Sequence, residues 1–508
     1  MCFRSLVPGD KGVPRGGVDT RYDHISPRLG MAWTPFPNGR TVIHAAAGMF
    51  YGSIGGNLWT YPSNGEPFSG RPTFSHVVSV ANPYATDPTD FCGGSTTCLA
   101  SGVGHSPYPF IYNPKAPAFV VVPAALITLS PNFHWPVIYQ MNVGFEQQLT
   151  NSLALSASFV SSLSRKLPLE IDENYPQYNL TSAGASGASC TDTTLPCAYT
   201  NTSGNANARR PFNSRSYGAT STTTAANPFF SSISQIGSTE SSNYNGLQVT
   251  LRQRLSRGFS VQGYYIWSKT LSSEDVSLAG NTGNTAQDEP QDPNFKYLDR
   301  QRSDFDQRQM VAISGVWKPH YGFTNKIVRG VVNDWTITSI IQLQSGLPFN
   351  ITTGSDNNGD GVTNDRPNLA PGFTHPQLHN NGKSRVAAEA DWVDYSQFCV
   401  AGGTLNGVAA CPQNGAGPAN SDGTVRQNAL DAPGRRAIAA SIFRDFRITE
   451  RVKFQLRGES TNVFNLTNLP APTGTLSSGT TSFGHINGSI SGGTFGNRII
   501  QVGGRILF

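Results

Sequence analysis

The stretch VKFQLRGES, residues 452–460, alternates between apolar and polar side chains. Val452, Phe454 and Leu456 fall on one side of an extended chain, and the residues between and after them are polar or charged. Successive side chains of a strand point to opposite faces, so a period of two indicates a strand whose faces meet different surroundings. The stretch therefore predicts a strand with one apolar and one charged face.

The same alternation recurs along the chain and predicts eleven strands. They lie near residues 25–34, 40–51, 137–149, 152–163, 244–255, 259–270, 308–318, 332–346, 436–447, 451–464 and 497–508. Their connections alternate between a few residues (PFPNG, TN, SRG, ITE) and stretches of about 30 to 90 residues, which is the pattern of outer-membrane barrels. Because short and long connections alternate along the chain, the 319–331 connection is assigned to the end of the barrel that carries the short turns. The predicted fold is an all-β, antiparallel transmembrane β-barrel with long extracellular loops.

Composition and charge limit the classes of function that the chain can have. Charged residues make up 14% of the 508 residues, against roughly 25% in soluble globular chains. The net charge is +5 and no Lys/Arg run is present, so a nucleic-acid partner is not expected. The most apolar stretch, 118–129, is interrupted by Pro123 and is shorter than the roughly 20 residues of a membrane-spanning helix. The N-terminus lacks the apolar segment of a signal peptide.

Aromatic residues fall at or near the predicted strand ends, where an outer-membrane barrel carries its aromatic girdles. They are Trp33, Tyr51, Trp135, Tyr139, Trp267, Trp317 and Trp335. Alternating strands with aromatic ends also fit a soluble β-sandwich, which is the alternative fold. The asymmetry of the loop lengths favours the barrel.

The last ten residues, IIQVGGRILF, form a second specific pattern. Ile500, Val502, Ile506 and Phe508 share one face of the predicted strand. A terminal Phe that ends an alternating strand resembles the C-terminal insertion signal of outer-membrane barrels, although Gly504 stands where a bulkier residue is usual. The expected partners are therefore the barrel assembly machinery and outer-membrane lipid.

Five segments together resemble the Oar-like barrel of TonB-dependent transporters, a group expanded in soil bacteria such as the Acidobacteria. They are SPRLGMAWTPFPNGRTVIHAAAGMFY (26–51), NYNGLQVTLRQRLSRGFSVQGYYIWSKTL (243–271), DWTITSIIQLQSGLPFNI (334–351), FRITERVKFQLRGESTNVFNLTN (446–468) and IIQVGGRILF (499–508). The similarity is spread over most of the chain. Each motif is moderately specific, and their order and spacing strengthen the resemblance.

The resemblance implies a barrel of 22 strands, an N-terminal plug and a TonB box. None of these N-terminal parts is visible in the sequence, and strand parity predicts that residues 1–508 are the C-terminal half of the barrel. Plug, TonB box and signal peptide would then be absent, and the TonB complex would act through those missing parts. The chain is expected to bind an unknown ligand through its extracellular loops and to conduct it across the outer membrane.

Two other functions fit the same fold: a non-transporting surface or adhesion protein, and a passive porin-like channel. An enzyme is not expected, because no GxSxG elbow, Walker loop, HExxH helix or acid/base pair occurs. His375 and His379 share a Pro-rich loop, but without a helix their spacing does not predict a metal site. The substrate-binding residues are unknown.

Six of the seven cysteines form three local pairs in long loops. We expect disulfides Cys92–Cys98, Cys190–Cys197 and Cys399–Cys411, because the cell exterior is oxidising. Free thiols are the alternative. Cys2 is left over and is expected to be unpaired.

The segment SDNNGDGVTNDRP, residues 355–367, resembles the start of an EF-hand calcium loop, with oxygen-bearing residues at alternate positions ahead of Gly361. The candidate ligands are Asp356, Asn358, Asp360, Val362 through its carbonyl, and Asp365. Pro367 replaces the final Glu of such a loop, so weak calcium binding is expected. The alternative is an Asx-rich turn whose side chains accept hydrogen bonds from their own backbone. No other cofactor is expected.

Overall fold

The computed structural model describes residues 22–52, 124–176, 203, 206–211, 230–273, 290–400, 409–411 and 422–508. The strands of this part are β1 Arg28–Trp33, β2 Thr41–Tyr51, β3 Ala124–Leu129, β4 Val137–Gln148, β5 Leu153–Asp172, β6 Phe230–Ser256, β7 Phe259–Ser272, β8 Gln301–Arg302, β9 Gln309–Trp317, β10 Trp335–Gln344, β11 Pro348–Phe349, β12 Asn368–Leu369, β13 Phe398–Val400, β14 Ala409–Ala410, β15 Leu430–Asp431, β16 Arg435–Arg447, β17 Lys453–Thr461 and β18 Ile499–Leu507. The α-helices are α1 Ala206–Arg209, α2 Lys326–Val332 and α3 Arg385–Ala390, and 3-10 helices span Pro293–Leu298, Tyr395–Gln397 and Leu476–Ser478. No helix among the described residues is long and apolar enough to cross a membrane.

Eleven strands form one continuous antiparallel path, which we call the wall. Its order is β1-β2-β4-β5-β6-β7-β9-β10-β16-β17-β18, with β3 added to β6 and β8 added to β7. In the described part of the chain, β1 and β18 are the edge strands. All eleven predicted strands are present, and short turns alternate with long connections as expected.

The β6–β7 turn shows how the local sequence makes a short connection. Arg257 and Gly258 both have positive φ, 52° and 80°, which is the backbone of a two-residue type I′ hairpin. A side chain at Gly258 would place its Cβ 2.4 Å from the carbonyl oxygen of Lys318. Glycine is therefore required here both for its conformation and for the close approach of the next turn.

Two strands are longer than the sequence predicted. β5 has 20 residues and β6 has 27, where the alternation indicated only 152–163 and 244–255. Beyond the ends of β4 and β7, residues 167–172 of β5 pair with residues 234–240 of β6, and β3 pairs in parallel with residues 230–236 of β6. We call β3 and these two extensions the wing. Its Ser-rich sequence lacks apolar alternation, so only the backbone pairing identifies it as sheet.

The register gives the wall one apolar and one polar face, because partners across a ladder point to the same side. Val143 lies opposite Ala45 and Phe159, Phe159 opposite Leu247, and Leu247 opposite Trp267. Val143 and Trp267 are each 58% exposed. The residues that alternate with them form the polar face and include Gln140, Asn142, Ser158, Gln248, Thr250, Arg252 and Gln262. The faces predicted for 452–460 are confirmed.

Aromatic residues mark both ends of the wall. At the turn end lie Trp33, Trp317 and Trp335, and at the loop end lie Tyr51, Trp135 and Tyr139. The prediction is less accurate for Trp267, because β7 continues to Ser272 and places this ring inside the strand.

The described residues of the connections 345–434 and 462–498 pack together beyond the loop end of the wall, and we call them the cap. The cap has its own apolar core, formed by Phe349, Ile351, Ala388, Trp392, Val393, Phe398, Val400, Val425, Leu430, Ala432, Leu469, Leu476, Phe483 and Ile486. Its short strands and helices carry no regular hydrophobic period, and for this reason the sequence predicted only loops. At the turn end, the 319–331 connection contains most of α2, whose first turn is capped by the Asn325 side chain.

Candidate functional site

A polar cavity of about 620 Å³ lies where the cap meets the connection between β7 and β9. Its lining includes Gln291, Asp299 and Asp304 from that connection, and Asn350, Arg366 and Asn428 from the cap. Volumes of roughly 300 to 1,000 Å³ are typical of small-molecule sites. The cavity is thus large enough for a small molecule with several hydrogen-bonding groups.

A buried ion pair forms part of the cavity lining. Arg366 Nη1 lies 2.6 Å from Asp299 Oδ1, and both side chains are 4% exposed. The Arg366 backbone N–H donates to Gln291 Oε1 at 2.9 Å. Burial raises the pKa of Asp299, and the Arg366 guanidinium opposes that rise. Removing either partner would leave a buried charge uncompensated, so the pair fixes Arg366 in place.

A second ion-pair group attaches the cap to the wall. Arg302, in β8, places Nε 2.7 Å from Asp306 Oδ2 and Nη2 2.6 Å from Asp431 Oδ1. Asp431 also accepts a hydrogen bond at its backbone oxygen from Trp392 Nε1 at 2.9 Å. The cap core and the wall therefore share one polar junction.

The carboxylates of the predicted calcium loop accept hydrogen bonds from the loop's own backbone. Asp356 accepts from the N–H groups of Gly359, Asp360 and Gly361 at 2.6–3.0 Å. Asp365 Oδ2 accepts from the N–H groups of residues 357 and 358 at 2.5 and 3.1 Å. This is the geometry of the Asx-rich turn. Within the described residues, no three His, Cys, Asp or Glu side chains form a group that could hold a metal ion.

Asp360 and Val362, also named as candidate ligands, contact each other. The Val362 N–H donates to Asp360 Oδ1 at 2.7 Å, while Asp360 Oδ2 accepts from the Tyr175 hydroxyl at 3.0 Å. Burial, followed by the nearby Asp356 charge, raises the pKa of Asp360 to about 7. The EF-hand-type ligand set as a whole stays a prediction.

Asn358 brings together segments that are far apart in the sequence. Its Nδ2 lies within 3.2–3.5 Å of four oxygens: the Tyr175 hydroxyl, the Gln291 carbonyl, Asp360 Oδ2 and Asp422 Oδ1. Burial, followed by the charge of Asp292, raises the pKa of Asp422 to about 8. The sequence analysis missed Asp422, because a lone Asp in a Gly- and Asn-rich loop gives no periodic or spacing signal.

The cysteine predictions fall partly on described residues. Cys399 and Cys411 are joined by a disulfide with a Cα–Cα distance of 5.1 Å, and both lie in a small buried cluster with Ala370. Cys2 and the pairs Cys92–Cys98 and Cys190–Cys197 lie outside the described residues.

The predicted insertion signal coincides with β18. Ile500, Val502 and Ile506 lie opposite Ser460, Gly458 and Phe454 of β17, on the apolar face, and the terminal Phe508 is fully exposed. A Cβ at Gly504 would lie 2.9 Å from the Phe454 ring. The Phe454 ring therefore occupies the space next to Gly504 that a bulkier side chain at this position would fill. Recognition by the assembly machinery stays a prediction.

The two histidines of the Pro-rich loop have separate partners. His379 Nδ1 lies 2.6 Å from Asp391 Oδ2, whereas His375 Nδ1 lies 3.1 Å from the Thr374 hydroxyl. They do not form a shared site.

An antiparallel wall with an apolar outer surface, short turns and long loops defines a transmembrane β-barrel type of protein. The sequence profile of the outer membrane beta barrel domain matches residues 4–501, and the chain belongs to this family. The protein is therefore located in the outer membrane. No curated protein matches the sequence.

Solved outer-membrane transporters resemble the chain over part of their length. The outer membrane transporter YddB from Escherichia coli is 9% identical with a TM-score of 0.41, covering 95% of this chain and 40% of that one. The ferric-catecholate import receptor Fiu from E. coli K12 is 8% identical with a TM-score of 0.34, covering 94% and 34%. The siderophore receptor PiuA from Acinetobacter baumannii is 7% identical with a TM-score of 0.36, covering 94% and 35%. The chain thus spans at most two fifths of these structures.

Proposed function

We propose that the chain is the ligand-binding and conducting barrel segment of an Oar-like TonB-dependent transporter. The observation that carries this proposal is the polar cavity of about 620 Å³ between the cap and the β7–β9 connection. In outer-membrane barrels the long loops face the cell exterior. The cavity would then lie on the side from which an external solute approaches.

The lining favours a polar ligand. Arg366 and Asp299 hold a fixed charge pair at the cavity, and the side-chain oxygens of Asn350 and Asn428 are buried acceptors that receive no hydrogen bond from the described residues. An apolar ligand would leave these groups without partners, which costs free energy. The action is binding and gating, with no bond made or broken.

Active transport through such a barrel requires further domains in addition to the wall. We propose that the wall is half of a 22-stranded barrel, and that a plug and a TonB box couple it to the TonB complex. The polar face would then line the lumen, along which the ligand moves once the plug yields. These partners follow from the family resemblance in the sequence.

The test uses the source bacterium with the gene deleted and complemented. Thr363 lines the cavity and is exposed, so Thr363→Trp should obstruct the cavity without burying a new side chain in the core. Thr374→Trp, on the exposed cap surface outside the lining, is the matched control. Growth is measured with ferric citrate, cobalamin, maltodextrin or a tetrapeptide as the sole source of its nutrient.

The expected result is that deletion and Thr363→Trp reduce growth on one of these sources by about tenfold, whereas wild-type and Thr374→Trp restore it. A protonophore should abolish the same uptake. Growth that is unaffected on every source, together with lost surface attachment, would support the adhesion alternative. A large steady ion current through the refolded chain in a planar bilayer would support the passive channel.

A further inference from the structure

The helix α2, at the turn end of the wall, exposes most of its apolar side chains. Ile327 is 78%, Val331 62% and Val328 38% exposed, and none of its residues is buried. Residues at positions i, i+1 and i+4 share one side of a helix, so these three side chains form one apolar stripe. Lys326 and Arg329 lie on the other side of the helix. The helix is therefore amphipathic, with its apolar side turned away from the described residues.

Hydrogen bonds hold α2 in one orientation. The Val331 backbone oxygen accepts from Trp335 Nε1 at 2.8 Å and from Arg444 Nη1 at 3.0 Å. The side chain of Asn333 closes the connection: its Oδ1 accepts from the Tyr321 N–H at 2.8 Å, and its Nδ2 donates to the Tyr321 carbonyl at 3.0 Å. The apolar stripe is thus held outward by specific contacts and is not the position of a loose segment.

The helix is attached to the apolar face of the wall. Trp335 and Arg444, which both bind its last turn, lie opposite each other in the ladder between β10 and β16. Two residues further along each strand, Ile337 lies opposite Ile442, which is 44% exposed on the apolar face. Tryptophans at the ends of barrel strands lie at the boundary between lipid and water. The contact with Trp335 therefore places α2 at this boundary.

The charge of the connection is mostly positive. Lys318, Lys326 and Arg329 are cations, and Asp334 is the only carboxylate between residues 318 and 334. Among the described residues, neither Lys326 nor Arg329 forms an ion pair with a carboxylate. An amphipathic helix with this pattern binds an anionic lipid surface, because its apolar side chains enter the acyl boundary while Lys and Arg contact the phosphates.

We propose that α2 is an interfacial anchor that binds anionic phospholipids in the periplasmic leaflet of the outer membrane. Ile327 and Val331 enter the acyl boundary, and Lys326 and Arg329 contact lipid phosphates. The occupant is lipid because the stripe continues the apolar face of the wall, and the leaflet follows because the short turns of outer-membrane barrels face the periplasm. The anchor fixes the depth of β9 and β10, which α2 connects. It does not depend on the ligand of the polar cavity.

The first test is photo-crosslinking in the outer membrane of the source bacterium. The photoreactive residue p-benzoylphenylalanine replaces Ile327, Val143 on the apolar face of the wall, or Thr374 on the exposed cap surface. After irradiation, mass spectrometry should find phospholipid adducts at Ile327 and Val143, and at least about tenfold fewer at Thr374. The proposal is overturned if position 327 gives an adduct with protein or with lipopolysaccharide, or as few phospholipid adducts as position 374.

The second test measures folding of the chain in urea, in vesicles of phosphatidylcholine alone and in vesicles with about one third phosphatidylglycerol. The ratio of the two folding equilibrium constants reports the preference for anionic lipid. Lys326→Gln/Arg329→Gln should lower this ratio by roughly tenfold, because two cations at the membrane surface are lost. The control Lys383→Gln/Arg426→Gln removes two exposed cations from the cap and should change the ratio by less than about twofold. An unchanged ratio for Lys326→Gln/Arg329→Gln would overturn the phosphate contact.

Discussion

The wall exposes its apolar side chains on one face, whereas the cap buries its apolar side chains in a core. On the wall, Val143 is 58% and Val502 74% exposed, on a face that no described residue covers. In the cap, Phe398 and Val393 are each 1% exposed and are packed among other apolar side chains. Both arrangements remove apolar surface from water, the first into lipid and the second into a protein core.

The two regions therefore depend on different interactions. In lipid, unpaired backbone groups are costly, so continuous ladders between neighbouring strands dominate the stability of the wall. The cap stands in water and depends on close packing, as between the Phe398 and Phe483 rings, whose centroids lie 5.6 Å apart. A change that weakens one region should leave the other largely intact, and the following variants test this independence.

The largest effect is expected for Phe398→Ala. Loss of this fully buried ring removes its contacts with Phe483 and leaves a cavity, which should cost the cap about 3 to 5 kcal/mol. Proteolysis should then cleave the cap at low denaturant while the wall strands stay protected. Phe464→Ala, at a position 66% exposed, is the control and should change little. Simultaneous unfolding of both regions would show that they are one cooperative unit.

A smaller loss is expected for Val143→Arg, which places a charge on the lipid face of β4. This should cost about 2 to 4 kcal/mol near the middle of the bilayer. The neighbouring Asn142→Arg points to the polar face and should cost less than about 1 kcal/mol. The measurement is urea-dependent folding into lipid vesicles. Equal losses for the two variants would argue that the two faces of the wall do not meet different solvents.

Removal of the Cys399–Cys411 disulfide should affect only the cap. The bond closes a loop with a sequence separation of 12, for which loop-closure entropy predicts a loss of about 2 to 3 kcal/mol. The double variant Cys399→Ser/Cys411→Ser should lower the cap midpoint in urea and leave vesicle folding of the wall unchanged. In wild-type, alkylation of either thiol before reduction would contradict the disulfide itself.

A further comparison of the two regions concerns the pH dependence of their stability. Burial raises the pKa of Asp360 to about 7 and that of Asp422 to about 8, well above the ordinary range of an aspartate carboxyl. The folded cap thus binds protons that the unfolded chain releases, so this contribution is complete below about pH 4 and is lost as the pH rises through 7 and 8. The melting temperature of the cap should therefore fall between pH 5 and pH 8.5.

The double variant Asp360→Asn/Asp422→Asn provides the control for this pH dependence and should show a flatter profile. Other ionisable groups in or near the cluster are Tyr175, Asp292, Asp356 and Asp365. A cap whose stability rises between pH 5 and pH 8.5 would contradict the raised pKa values. The wall, whose ladder carries none of these groups, should show no matching change.

The wall was predictable from the sequence because its two faces meet different solvents and so impose a period of two. VKFQLRGES needs no partner to show that Phe454 and Leu456 share a face. The wing and the cap were not predictable in this way. In the wing, the buried Ser234 pairs with Asp172 of β5 and Ile127 of β3, and serine carries no such signal.

The candidate site was predictable only in part. The density of Asp, Asn and Gly at 355–367 marked an unusual turn, and Asn358 and Asp360 belong to the buried cluster. The hydrogen bonds of Asp356 and Asp365 to their own backbone depend on the path of the loop, which spacing does not determine. Gln291 and Asp422 reach the cluster through tertiary packing, for which a single sequence gives no local pattern.

The wing extends the sheet beyond the loop end of the wall. Residues 230–241 of β6 continue past the last pair with β7, and about 12 residues at roughly 3.3 Å each make a rod about 40 Å long. At the tilt of roughly 35–45° usual for barrel strands, this is about 30 Å above the loop end of the wall. The polar headgroup region on one side of a bilayer is only about 5 to 8 Å thick. Among the described residues, the tip of this extension therefore lies beyond the headgroups, where an antibody or a phage tail can contact it without contacting lipid.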